Sequence, residues 1–306
     1  MAYALGGPQG YRYGRDPWGA IGLDLDLMAG PDVLLPLLHR LGAAPGPDGW
    51  YPDDEAHGGA VVDPDRKVLL FFAWDAPSAS APTRAAALAL LRGAWPGWDV
   101  RWSYAGQTGL RGYLGLDPEQ DLSGPIGSFV CPAPGLAGAP AAVATVGPDR
   151  CHVLDGVNEH PVTEGPALLE RLRSVPRHLT YGGHADAGIH VDPQRRRVGW
   201  WLTGAQEHAE RVPARWPGWT VEFWEDRWSE HARAAPGRFL APAPDPAAAL
   251  AGVRDWALDR YAPPAAGERA APCALVGLGH PPPVTAGLAA AARETIGAAY
   301  RAAGGC

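Results

Sequence analysis

Lysine is almost missing. The 306 residues carry 26 basic side chains, and Lys67 is the single lysine among them. Against 33 acidic residues the net charge is −7. A mildly acidic surface does not attract phosphate backbones, so nucleic acid is excluded as the expected partner. Cysteine is scarce too. Cys131, Cys151, Cys273 and Cys306 are widely spaced and form no CxxC pair. That spacing argues against a disulfide framework and a four-cysteine zinc site, and predicts reduced thiols in the cytoplasm. No stretch of about 18 apolar residues occurs, so no membrane span is expected. Met1 to Gly14 lacks a basic segment followed by an apolar core, so no signal peptide is expected either.

Catalytic signatures are also missing. The chain has no GxSxG elbow, no Walker loop, no HExxH, no GxGxxG after a strand and no HxE with PCxxC. These absences lower the expectation of an enzyme.

What is abundant is glycine (40), proline (33) and tryptophan (13), within 46% hydrophobic residues. The length and apolar content allow two domains. The residue usage resembles that of tryptophan-rich proteins of high-GC actinobacteria, a likeness of composition that carries no site. The tryptophans need burial or partners, which argues against disorder.

The chain repeats itself. Trp95-Pro96-Gly97-Trp98 returns as Trp216-Pro217-Gly218-Trp219. Val62-Asp63-Pro64 matches Val191-Asp192-Pro193, and Gly30-Pro31 matches Gly165-Pro166 before a leucine-rich run. Phe129 to Pro134 matches Phe239 to Pro244. Four anchors in one order indicate an internal duplication. The expected fold class is α+β. Two similar units each carry a small, mainly antiparallel sheet with one or two covering helices, packed about a pseudo-twofold axis. The expected division is 1–141 for unit one, 142–262 for its diverged repeat, and 263–306 for a C-terminal strand and helix.

In unit one, the alternation of Leu23, Leu25 and Leu27 predicts a strand over 20–27. Gly30-Pro31-Asp32 opens a helix on Val33, Leu34, Leu37, Leu38 and Leu41. Gly58–Val62 and Val68–Trp74 form a hairpin around an Asp-Pro-Asp turn. A helix from Thr83 leads to the Trp-Pro-Gly-Trp turn and a strand from Asp99. Unit two begins with strands at 142–146 and 151–154 and then follows the same order. From Val62 to Trp95 is 33 residues, and from Val191 to Trp216 is 25. Unit two is thus shorter there by about two helical turns. Helices over 246–261 and 284–303 close the chain, with a further strand at 273–278 between them.

The Trp-Pro-Gly-Trp motif offers a stacking platform for a ligand. Its presence in both copies favours a structural brace instead. The strands that follow hold Trp102 and Tyr104 in unit one and Trp224 and Trp228 in unit two. With Trp200, these are the expected binding residues, and Glu225, Asp226, Arg227 and Glu230 form a charged rim around them. His184, Asp186 and His190 share one face if extended, which suits zinc or another divalent ion. Glu55 and His57 align with them in unit one. Asp53 to Glu55, Arg66-Lys67 and Arg195 to Arg197 read as solvated turns. Cys306 reads as part of a frayed terminus.

The leading expectation is a non-catalytic cytosolic protein-binding protein without a cofactor, in the manner of an immunity or regulatory adaptor protein. A basic partner protein would suit its acidic surface. The alternative is an enzyme or small-molecule binder, metal-dependent in one form. Its site would lie in the cleft between the units and use His184, Asp186, His190, Glu55 and His57, with Trp200 or Trp219 as a wall.

Overall fold

The structure is a computed structural model. It describes residues 2–15, 22–40, 58–73, 81–117, 141–155, 160–183, 185–205, 209–240, 245–262 and 286–305. The chain divides into two compact units, one of Met1–Pro118 with Pro244–Cys306 and one of Glu119–Ala243. Each is α+β, with a five-stranded mixed sheet packed against helices.

Unit one contains β1 (Ala2–Gly7), β2 (Gly10–Arg15), β3 (Gly58–Asp63), β4 (Val68–Ala73) and β5 (Asp99–Trp102). Unit two contains β6 (Ala141–Val146), β7 (Arg150–Asp155), β8 (Ala187–Asp192), β9 (Arg197–Leu202) and β10 (Thr220–Phe223). The strand orders are β2-β1-β3-β4-β5 and β7-β6-β8-β9-β10. In both, two antiparallel hairpins are joined by a parallel pair, and the last strand is added in parallel. The register repeats as well: Asp63 pairs with Val68 and Val68 with Asp99, as Asp192 pairs with Arg197 and Arg197 with Thr220. The duplication is therefore one of topology and pairing. The parallel joins make each sheet mixed, because crossover segments such as α3 (Ala81–Ala94) return the chain to the same end of the sheet.

The expected strand over 20–27 is instead a short helix, α1 (Leu23–Leu27). Leu23 and Leu27 lie one helical turn apart and are both buried. The intervening Asp24 and Asp26 are buried too, so the alternation did not separate a wet face from a dry one. The first hairpin of unit one is β1–β2, at the chain start, where the unit-two hairpin at 142–154 has its counterpart. The helix α2 (Pro31–Arg40) begins at the proline as expected.

In unit one, α3 lies against α8 (Pro246–Arg260) and α9 (Ala286–Ala302). The sequence reading grouped α8 with unit two. Its Arg260 instead donates from Nε and Nη2 to the two carboxylate oxygens of the fully buried Asp26, at 3.0 and 3.1 Å. The strand expected at 273–278 lies outside the described residues.

The repeat anchors have physical roles. Trp95 and Trp216 are buried, and their indole N–H groups donate to the carbonyls of Leu27 and Val162, each at 2.7 Å. Trp98 and Trp219 pack edge-on against them. Three residues beyond each acceptor stands the Gly of the Gly-Pro anchor, with φ of +80° at Gly30 and +65° at Gly165. A side chain there would meet the backbone carbonyl just before the tryptophan, at 2.8 Å from Ala94 O and 2.3 Å from Arg215 O. One lock is thus built twice.

Candidate functional site

In unit two one face of the sheet packs Trp200, Trp216, Ile189 and Leu202 into the main core. The opposite face is covered by α7 (Trp228–Ala234), over Val143, Cys151, Trp201 and Phe239. On this second face four polar side chains from three strands and one helix join in a line. Trp201 Nε1 donates to His231 Nδ1 at 3.0 Å. His231 Nε2 lies 2.7 Å from Thr145 Oγ1, and Thr145 Oγ1 lies 2.9 Å from His190 Nδ1. Thr145, Trp201 and His231 are fully buried, and His190 is half-buried. Gly188 leaves the space for His231, since a Cβ there would stand 2.7 Å from its Nδ1.

The direction of this chain follows from chemistry. An indole can only donate, so His231 Nδ1 accepts and its proton is on Nε2. That N–H donates to Thr145, whose own hydroxyl proton then goes to His190 Nδ1. His190 is left with its proton on Nε2. Burial keeps His231 neutral, lowering its pKa from 6.5 to about 3, with the His190 and His160 rings adding to the effect. Burial lowers His190 as well; Asp192 opposes this and Arg197 reinforces it.

The chain ends at an open groove of about 760 Å³. His190, Asp192, Arg195, Arg197, Glu222 and Trp224 line one part of it, and Glu230, Arg233 and Ala234 of α7 line another. Gly147 to Arg150, at the β6–β7 turn, line it as well. Its charges are matched locally. Arg197 Nη2 donates to both oxygens of Glu222, at 2.6 and 2.7 Å, and this contact is the main reason the Glu222 carboxyl lies below its usual range. Asp192 Oδ1 accepts the amides of Gln194 and Arg195, and its Oδ2 receives Arg195 Nη1 at 3.3 Å. Those contacts, the Arg195 amide first, hold Asp192 low despite some desolvation. Arg233 pairs with Glu230. The Trp224 ring lies on Gly199, where any Cβ would fall 1.8 Å from it, and its Nε1 donates to Glu222 at 3.3 Å.

As wired, His190 offers an N–H to the groove and keeps its lone pair for Thr145. It is a fixed hydrogen-bond donor. A general base needs an available lone pair, and this arrangement does not provide one there.

Unit one answers position by position. The pairing registers set Ala4 against Thr145, Val61 against His190 and Phe72 against Trp201. His231 is seven residues past Trp224. Seven past the equivalent Ser103 is the fully buried Leu110, on α4 (Gly106–Leu114). All four polar members have apolar counterparts.

Of the expected binding aromatics, Trp200 is 1% exposed and belongs to the core, stacked on Phe223. Trp102 is 7% exposed and lies under the Arg84 guanidinium, 4.2 Å from the ring centroid. Neither offers a contact surface, because β9 is buried on both faces and β5 turns Trp102 to its buried face. Tyr104 is half-buried near the same guanidinium. Trp224 reaches the groove at 9% exposure, and Trp228 is half-buried against the second core.

His190 faces Thr145 and His231. Asp186 lies in the bend just before β8, where its carbonyl accepts from the Thr203 hydroxyl. His184, Glu55, His57 and Cys306 lie outside the described residues. Among the described residues no group of three His, Cys, Asp or Glu side chains could hold a metal ion. Among them, too, no helix is long and apolar enough to cross a membrane. His231 escaped sequence reasoning because it has no local motif; the signal available was the polar-for-apolar asymmetry between the copies.

Comparison with known proteins finds no matching family model, no matching relative and no matching solved structure.

Proposed function

We propose that this is a non-catalytic protein-binding protein and that the groove on the α7 face of unit two is its contact surface. The observation that carries this reading is the asymmetry of the duplicated fold. At four matched positions one copy has apolar side chains, while the other has a buried polar chain that ends at an open groove. A neutral pair of histidines locked by Trp201 stiffens the floor and presents a single directed donor. The paired charges around it give a polar rim, and Trp224 supplies an aromatic base of the kind that anchors interfaces. The wiring of His190 as a donor favours binding over catalysis.

The test is affinity capture with the full chain from lysate of the native host. The wild type is compared with Arg233→Glu at the groove rim and with Arg101→Glu on an exposed strand position of unit one. The expected result is one stoichiometric protein that is lost with Arg233→Glu and kept with Arg101→Glu. A partner that both variants retain, or none with the wild type, would sink the reading.

A further inference from the structure

The molecule contains its own picture of what fills this groove. In unit one, Asp63 and Arg66 occupy the positions of Asp192 and Arg195, in the same hairpin turn of the same register. Each aspartate uses Oδ1 to accept the turn amides. In unit one Oδ2 accepts two phenols, Tyr11 at 2.5 Å and Tyr113 at 3.0 Å. Arg66 completes the arrangement, with Nη1 3.4 Å from the Tyr11 hydroxyl and the guanidinium 5.9 Å from the centre of the Tyr113 ring.

Unit two has the acceptor and the guanidinium but neither phenol. Arg12 and Arg150 are equivalent by pairing, but beyond them the unit-one ladder runs on to the Gly6–Tyr11 pair, whereas unit two turns at once through Gly147 to Asp149 and has no residue at the Tyr11 ladder position. Tyr113 lies ten residues past Ser103, and ten past Trp224 is Ala234. Asp149 and Ala234 both line the groove, beside Asp192 and Arg195. A space is left where the other copy seats tyrosine rings.

We infer that the groove of unit two receives a tyrosine side chain of a partner polypeptide, with its hydroxyl donating to Asp192 Oδ2 and its ring against Arg195. This inference rests on the protein-binding reading above. It adds the residue class that the groove selects. A phenol satisfies both elements at once, an acceptor for O–H and a cation for the ring face. Phenylalanine supplies only the second.

The experiment titrates the full chain with an acetylated, amidated pentapeptide that has tyrosine at its centre and glycine and serine around it. Its phenylalanine analogue and p-cresol are titrated alongside, and binding is read from the tryptophan indole N–H signals by NMR. The tyrosine peptide is expected to bind at least about tenfold more tightly than the phenylalanine peptide. Asp192→Asn keeps an oxygen for the turn amides and should reduce that ratio to near one. Ala234→Tyr rebuilds the unit-one arrangement and should block the peptide while leaving the fold intact. Equal binding of the two peptides, or undiminished binding to Ala234→Tyr, overturns the assignment. So does p-cresol binding more tightly than the peptide, which would point to a small phenol. If no peptide binds but a captured protein is lost with Ala234→Tyr, tyrosine selection fails and the protein-binding reading stands. If nothing is captured either, both fail.

Discussion

The indole of Trp216 donates to the carbonyl of Val162 across 54 residues of chain, and Trp95 makes the same bond to Leu27 across 68. Each bond ties the connection before the last strand of its sheet to the earlier connection between the two hairpins. Replacing Trp216 by Phe would remove one of the two donors to the Val162 carbonyl, Gly165 N being the other, and leave a small void. The expected loss is about 2–4 kcal/mol in urea unfolding. Trp95→Phe should lose a similar amount. A loss under about 0.5 kcal/mol in both would show that the bond is not a brace.

The glycines beside these bonds separate two kinds of constraint. Gly165 and Gly218 both have positive φ, but a Cβ at Gly165 would strike Arg215 O at 2.3 Å, whereas at Gly218 its nearest contact is 3.7 Å away. Gly218→Ala should therefore cost only the left-handed strain, about 1–2 kcal/mol. Gly165→Ala adds overpacking against rigid backbone and should cost on the order of 3–5 kcal/mol. Thermal melts of the two variants would rank them, and an equal shift would contradict the geometry.

These anchors were readable because they serve the same mechanical purpose twice, so the same residues return at the same step. The Trp-Pro-Gly-Trp brace and both Asp-Pro hairpins followed from that. The β1–β2 hairpin did not, although its counterpart at 142–154 was visible, because Gly6-Gly7-Pro8 and Gly10 obscure the strand pattern. The α1 turn was misread because Asp24 and Asp26 imitate solvent-facing positions while being buried. The polar chain was hidden for a different reason. Thr145, His190, Trp201 and His231 are brought together by sheet pairing and a helix, and no local spacing encodes that meeting.

The C-terminal helices should behave as part of unit one. Asp26 is fully buried, and Arg260 of α8 holds both its oxygens. Arg260→Met removes that bidentate partner from a buried carboxylate. A loss of about 3–5 kcal/mol is expected. Adding Asp26→Asn should recover much of it. If the double variant is as unstable as the single one, the pair is not what fastens α8.

The polar chain should be strongly non-additive. His231→Leu alone leaves the Trp201 indole N–H without its acceptor and Thr145 without its donor, for about 2–4 kcal/mol. Changing all four members to the residues of unit one, as Thr145→Ala, His190→Val, Trp201→Phe and His231→Leu, removes every stranded group together. Their combined cost should fall below the sum of the four single costs by about 2 kcal/mol or more. Simple additivity in denaturant unfolding would mean that the four side chains do not act as one network.

Acid should weaken the protein before its carboxylates titrate. Burial lowers His231 from 6.5 to about 3 and His160 to about 4, even though the Trp201 and Gly188 backbone contacts act to raise His160. Above about pH 6.5 both are neutral whether folded or unfolded, so they add no pH dependence. Below it the unfolded chain takes up protons that the folded chain refuses, and stability falls as pH falls. Each histidine contributes up to about 1.4 kcal/mol per pH unit until its folded-state pKa is reached. Urea midpoints measured between pH 7.5 and 5 should therefore decline steadily, in a range where Asp192 and Glu222, both shifted low, remain charged. In the four-residue swap His231 and His190 are gone, so the same slope should be shallower. An unchanged slope in that variant would mean the acid sensitivity comes from elsewhere in the chain.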